Sequence, residues 1–249
     1  ILITGGLGFI GQALFARLLE TGHNVRILDN LSNASTTADD ATAAGVNVRV
    51  GDIRDRSACD DAVDGVDGVI HLAAQTSVLP SVEAPEIDLE LNGFGTLNIL
   101  SACNAAGVRR VVCASSNAVV GLVEPPIHEL MMPAPVSPYG ATKLLAESYC
   151  RTFSEIHGMH ANALRFANIY GPRSKKKGSV VAKFIKDAFA GQPLTIYGGG
   201  NQTRDFLAGG NDLFRALVGL EHFTGRKGKG AAVIYRIAIE NHISDCGQR

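Results

Sequence analysis

Residues 4–11, Thr-Gly-Gly-Leu-Gly-Phe-Ile-Gly, follow a short apolar run and precede Ala13, Leu14, Ala16, Leu18 and Leu19, an apolar helical face that ends at Gly22. A strand that passes through a glycine turn directly into a helix is the opening of a βαβ unit. The apolar runs recur at 25–29, 46–50, 68–72, 110–114 and 162–166, separated by helical or polar stretches. Such alternation predicts a parallel sheet covered by helices on both faces. The clearest helices are 88–106, stopped by Gly107, and 138–157, opened by Ser137 as cap and Pro138 in the first turn. The expected fold is α/β, a Rossmann-type doubly wound parallel sheet, over residues 1–171.

From residue 172 the rhythm changes. A lysine-rich loop at 173–177, a helix at about 179–190, a short strand in Leu-Thr-Ile-Tyr-Gly (194–198) and a glycine-rich stretch come next, then a helix over 212–224 and a strand over 233–237. We assign 172–249 to a smaller substrate-binding lobe, some of whose elements return to the main sheet. The total of 249 residues suits one large domain with a small appendage.

With 46% hydrophobic and 19% charged residues, and 23 basic against 24 acidic side chains, the composition excludes a disordered chain and a basic nucleic-acid-binding domain. The 28 glycines point to a turn-rich chain whose bare backbone approaches a ligand. Five cysteines, at 59, 103, 113, 150 and 246, form no Cys-x-x-Cys and stand in apolar or helical contexts, as reduced thiols of a cytoplasmic protein do. No segment has the length of apolar sequence that a membrane span needs. The chain opens at Ile1 within a predicted strand and without an initiator methionine, as a fragment of a longer gene product would.

The first chemical signal is the turn itself. Gly5, Gly8 and Gly11 are spaced by three, and Gly6, Gly8 and Gly11 satisfy Gly-x-Gly-x-x-Gly. Small residues let the backbone approach a pyrophosphate, whose charge meets the N-terminus of the next helix. Asp29 ends the second strand 18 residues after Gly11, where an acid grips an adenosine ribose. An aspartate there repels a 2′-phosphate, which favours NAD over NADP.

The second signal is Tyr139-x-x-x-Lys143 at the start of a helix, a step that puts both side chains on one face. A phenol is a poor base at neutral pH, but an adjacent ammonium and a cationic nicotinamide would lower its pKa. Ser115 and Ser116 end a strand whose C-terminal end should point at the same crevice. Read alone, Tyr139 and Lys143 are an ordinary surface pair on a helix.

These residues resemble the extended short-chain dehydrogenase/reductases, in particular the NAD-dependent epimerase/dehydratase family that acts on nucleotide sugars, and most of all its UDP-glucose 4-epimerases. The motifs run in order from Ile1 to about Phe206: TGGLGFIG, LDNLS (28–32), GDIRD (51–55), HLAAQTSV (71–78), LNGFGTLNIL (91–100), ASSNAVVG (114–121), PYGATKLLAE (138–147), RFANIYGPR (165–173) and PLTIYGGGNQTRDF (193–206). The resemblance implies that Gly5, Gly8, Phe9, Ile10 and Gly11 hold the pyrophosphate side of NAD, with Asp29 and Asn30 at the ribose. It also implies that Asp52 and Ile53 hold the adenine, that Leu72, Ala73, Ala74, Gln75 and Asn92 line the cofactor, and that Lys143 holds the nicotinamide ribose. Ser116, Tyr139 and Lys143 are then the catalytic set, Tyr139 being the base. Asn117, Asn168, Ile196, Tyr197 and Arg204 join Ser116 and Tyr139 at the UDP-sugar.

Within the family, 4,6-dehydratases carry an acidic pair just after the catalytic hydroxyl, whereas Asn117 and Ala118 stand here. The resemblance thus implies C4 epimerisation of a UDP-hexose (UDP-galactose/UDP-glucose), with UDP-glucuronate decarboxylase or another UDP-sugar epimerase as the nearest rival. A non-catalytic NAD-binding sensor is the reading from another class. It further implies a homodimer formed through a four-helix interface of 88–106 and 138–157. Val120 replaces the family's usual tyrosine, and the motifs fade after Phe206. Asn92 reads equally as a core polar group. His157 and His160 have no partner acids or cysteines nearby, so no metal site is expected. Lys175, Lys176 and Lys177 read as a solvated loop.

Overall fold

The structure, a computed structural model, describes residues 1–124, 126–174, 178–196 and 206–209, and the backbone of 234–237. Among the described residues seven strands build the main sheet: Leu2–Thr4 (β1), Arg26–Asp29 (β2), Asn47–Val50 (β3), Val69–His71 (β4), Arg110–Ser116 (β5), His160–Phe166 (β6) and, after the two short strands below, Ile234–Ile237. Asn168–Tyr170 (β7) and Phe206–Ala208 (β8) form a separate parallel pair, which makes the last strand β9. The main sheet runs β3-β2-β1-β4-β5-β6-β9 with every pair parallel. Its order reverses beside β1, and the crevice at such a reversal is where doubly wound sheets bind ligands.

Each strand residue goes to one face or the other, as period two demands. Leu2, Leu28, Val69, Val111 and Ala161 pack with Cys59, Ile99, Cys103, Cys150 and Phe153 on one face. Ile3, Ile27, Ile70, Val112 and Leu164 pack with Leu14, Phe15 and Leu18 on the other. The second face is covered by Phe9–Glu20 (α1), with Ala38–Ala43 (α2) beside it. The first is covered by Arg56–Val63 (α3) and by two longer segments that also bound the site.

The first of those segments departs from the uniform helix predicted over 88–106. Val78–Glu83 (α4) and Pro85–Asp88 (α5) precede a π-helical turn, Leu89–Phe94, and only then does Gly95–Ala105 (α6) run on to Gly107, whose φ is 73°. Glycine lets this segment lie close to its neighbours: a Cβ on Gly95 would stand 2.4 Å from the Ile53 side chain. The second segment is Pro138–His157 (α7), with the bounds that its cap and stop predict. The Gly140 amide donates to the Ser137 hydroxyl at 3.1 Å, and Gly158 closes the helix at φ 64°.

Val180–Phe189 (α8) occupies the predicted helix near 179–190. No strand forms over 194–196, where Leu194 and Ile196 are exposed and have no neighbouring strand among the described residues. Residues 197–198 of that run, the loop 175–177, the helix predicted over 212–224 and Cys246 lie outside the described residues. The other four cysteines are buried free thiols. Among the described residues, no helix is long and apolar enough to cross a membrane.

Candidate active site

A cavity of about 720 Å³ opens beyond the C-terminal ends of β1, β2, β4, β5 and β6. Its floor is the turn between β1 and α1. Gly5 has φ 66°, and a Cβ on it would meet the Ala73 backbone nitrogen at 2.7 Å; one on Gly11 would meet Gly6 Cα at 2.5 Å. Neither position admits a side chain, so β1, the turn and the loop after β4 touch backbone to backbone. Gly8 caps α1 without a side-chain bond and the first turn carries no acid, which leaves the helix N-terminus open to an anion. Gly5, Gly8, Phe9, Ile10 and Gly11 all line the cavity.

At the far end of β2, the buried Asp29 accepts from the Leu7 amide at 3.0 Å with Oδ2 and from the Leu31 amide at 2.9 Å with Oδ1. The two bonds orient the carboxylate in the cavity wall and leave lone pairs on both oxygens for a diol. Asn30 lines the wall beside it and donates to Asp52 at 2.9 Å. Asp52 lies behind the wall. Arg54 donates to both its oxygens, at 3.0 and 2.9 Å, and these bonds hold its carboxyl well below the usual carboxylate range. Ile53 lines the cavity, as do Leu72, Ala73 and Ala74.

Gln75 and Asn92 also sit behind the wall. The Gln75 side chain folds back onto the Ser77 backbone. Asn92, buried in the π turn, accepts from the Gln75 amide at 2.9 Å and donates to the Gln75 carbonyl at 3.1 Å. These bonds make Asn92 a buried polar group that shapes the loop after β4.

On the opposite side stands the first turn of α7. A Cβ on Gly140 would lie 2.5 Å from the Ala118 carbonyl oxygen, so this turn packs against the 3₁₀ turn Asn117–Val120 at the end of β5. The contact brings the Tyr139 phenol beside Ser116, whose hydroxyl oxygen accepts from the Ala118 amide at 3.2 Å. Lys143 is buried, donates to the Ala114 carbonyl at 3.0 Å and holds its Nζ 5.8 Å from the Tyr139 ring centroid. Ser116, Tyr139 and Lys143 all line the cavity.

The chain's own groups act on the phenol apart from any charge that a nicotinamide would bring. Burial pushes the Tyr139 hydroxyl above its ordinary value, against the opposing effect of Ser116, and the charge of Asp88 adds to the rise. Burial also brings Lys143 down to about 8.

Of the residues expected at the sugar nucleotide, Asn168 lines the cavity. Asn117 lies on the 3₁₀ turn with its Oδ1 buried and unpartnered among the described residues. Ile196 is exposed and outside the wall. Tyr197 and Arg204 lie outside the described residues. Val120 is fully buried. Among the described residues, no group of histidines, cysteines and acids could hold a metal ion.

Sequence reasoning passed over the polar groups behind this corner. Arg165 on β6 and Glu147 on α7, each 2% exposed, form a two-point ion pair with both bonds at 2.8 Å. Ser115 donates to the same carboxylate at 2.6 Å. The Tyr139 amide donates to Ser81 on α4 at 3.1 Å. His71 bridges Thr4 at 2.7 Å and Thr96 at 3.1 Å, and burial lowers its pKa to about 3. Arg173, at φ 71°, joins the wall from the loop after β7. Glu147 and Arg165 sit within the quoted motifs, and opposite charges in two apolar elements are the signal that could have paired them.

The profile of the NAD dependent epimerase/dehydratase family matches residues 1–233. A UDP-glucose 4-epimerase of Mycolicibacterium smegmatis is 36% identical over 248 residues, covering 90% of this chain and 78% of that one. A UDP-N-acetyl-alpha-D-glucosaminuronate decarboxylase of Bacillus cytotoxicus is 35% identical over 216 residues, 82% of this chain and 66% of that one. The solved structure of the Thermus thermophilus UDP-glucose 4-epimerase, a complex with NAD, superposes with a TM-score of 0.82 at 32% identity, covering 95% of this chain and 76% of that one.

Proposed function

The chain belongs to the NAD dependent epimerase/dehydratase family, and from that premise we propose that it interconverts UDP-galactose and UDP-glucose at C4, with NAD held in the cavity beneath α7. The observation that carries this reading is the gathering of Ser116, Tyr139 and Lys143 on one wall of the cavity that the glycine turn also lines. A protein that only binds a dinucleotide has no need of that trio.

The residues fit NAD. Gly5 and Gly11 leave the backbone bare where a pyrophosphate would lie against α1, Asp29 and Asn30 would take the adenosine ribose, and Lys143 the nicotinamide ribose. When bound, NAD supplies reversible hydride exchange at the sugar C4 and a positive charge that favours the tyrosinate. Tyr139 takes the proton of the C4 hydroxyl and later returns it, while Ser116 shares that hydroxyl's hydrogen bond and fixes its direction. Lys143, fastened to Ala114, keeps positive charge near the phenol. Asn117 and Ala118 bring no acid to expel water, which disfavours dehydration. The rest of the reading is a substrate lobe built from 172 onward, a cytoplasmic location and a homodimer through the 88–106 and 138–157 helices, supported by the exposed Leu89, Phe94 and Ile156.

One observation favours a second reading. Arg173 lines the cavity without a hydrogen bond or ion pair among the described residues, and a guanidinium suits the carboxylate of a UDP-glucuronate. Proton NMR of the anomeric signals separates the two. UDP-galactose should yield UDP-glucose, and Tyr139→Phe should lower the rate about 10²- to 10⁴-fold while retaining NAD. Inertness toward UDP-galactose together with conversion of UDP-glucuronate would replace the first reading by the second.

A further inference from the structure

Asp88 ends α5 with 1% of its surface exposed, and it forms no ion pair among the described residues. Its Oδ2 accepts from the Thr142 hydroxyl, and its Oδ1 from Asn92 at 3.2 Å. Thr142 is the residue before Lys143, and its hydroxyl also lies 3.1 Å from the Tyr139 carbonyl and accepts from Asn92 at 3.2 Å. Asn92 in turn grips the Gln75 backbone, so one buried carboxylate joins the loop under the cofactor side to the first turn of α7. A carboxylate taken out of water is costly unless hydrogen bonds and a nearby positive charge stabilise it.

The cation within its field is Lys143. Asp88 raises the proton affinity of both Lys143 and Tyr139, partly offsetting what burial does to the first and adding to what it does to the second. The other titratable groups packed around the pair, among the described residues, are His71 on β4, which burial keeps neutral, Cys113 on β5, and Glu147 on α7 with its counter-charge Arg165 on β6.

Resting on the reading of Tyr139 as the base, we propose that Asp88 is a positioning residue for the Tyr139–Lys143 pair. It hangs the first turn of α7 from the π turn through Thr142 and holds a negative charge beside the pair. The hydrogen bond and the charge are separable, because Thr142→Val removes the first and leaves the second.

The test titrates Tyr139 in the NAD-loaded protein by tyrosinate absorbance, subtracting the profile of Tyr139→Phe. It uses no sugar, so an error in the assigned substrate leaves it untouched. Asp88→Asn should move the Tyr139 titration to lower pH by about half a unit or more, while Thr142→Val should not move it down. Asp88→Ser, neutral and smaller, should repeat the downward shift. Coincident profiles for Asp88→Asn and the parent chain would overturn the proposal. So would an equal downward shift in Thr142→Val, or failure of both neutral variants to fold, which would make Asp88 a structural residue only.

Discussion

Around Gly5 and Gly11 backbone meets backbone at distances that no side chain tolerates, whereas the first turns of α7 hang from polar side chains on five other segments: Ser81, Asp88, Asn92, Ser115 and Arg165. The two regions form facing walls of one cavity. The glycine wall is defined by excluded volume, so its geometry is rigid and indifferent to pH. The α7 wall is defined by hydrogen bonds and buried charge, so its geometry and its proton affinities are set together. A base that must change protonation during turnover belongs on the second kind of wall, and a ligand that is only to be held belongs on the first.

The sharpest way to break the α7 wall is Glu147→Ala. It leaves Arg165 buried without its counter-charge and should cost about 3–5 kcal/mol in urea unfolding. Replacing both members by apolar residues of similar volume should recover most of that loss, because no lone charge then remains. On the glycine wall, Gly5→Ala sets a Cβ against the Ala73 backbone at a left-handed φ. We expect about 3 kcal/mol of destabilisation with loss of bound NAD, and no apolar partner change that restores it.

The smallest effect belongs to pH. His71 is neutral in the folded chain down to about 3, while its ordinary pKa is 6.5. The unfolded chain therefore takes up a proton that the folded chain refuses. Stability is full above about pH 6.5 and falls as pH drops toward 3, by about 2 kcal/mol at pH 5 from this group. His71→Gln should flatten that slope in unfolding curves collected from pH 7.5 to 5, and an unchanged slope would remove His71 from the account.

The glycine wall was legible because its residues are contiguous: one stretch of eight letters, with Asp29 at a fixed offset, carries the whole geometry. Tyr139 and Lys143 were legible for the same reason, lying one helical turn apart behind Ser137 and Pro138. What supports them was not. Asp88, Thr142, Glu147 and Arg165 are brought together across as many as 77 positions, and within a helical or strand pattern each reads as an exposed polar residue or an interruption. Spacing shows that Lys143 is near Tyr139 but not that its ammonium is bonded to Ala114. The strands β7 and β8, three residues each, are too short to carry a period.

The π turn at Leu89–Phe94 has a rotational meaning. An α-helix advances about 100° per residue, so a turn widened by one residue puts the helical segment before it out of phase with the segment after it. Asp88 and Thr96, eight positions apart, are thereby aimed at different neighbours, one at α7 and the other at His71. An insertion of a single amino acid, absorbed in place, is enough to aim one helical segment at two partners, and its removal would swing Asp88 away from Thr142 without altering any other letter of the chain.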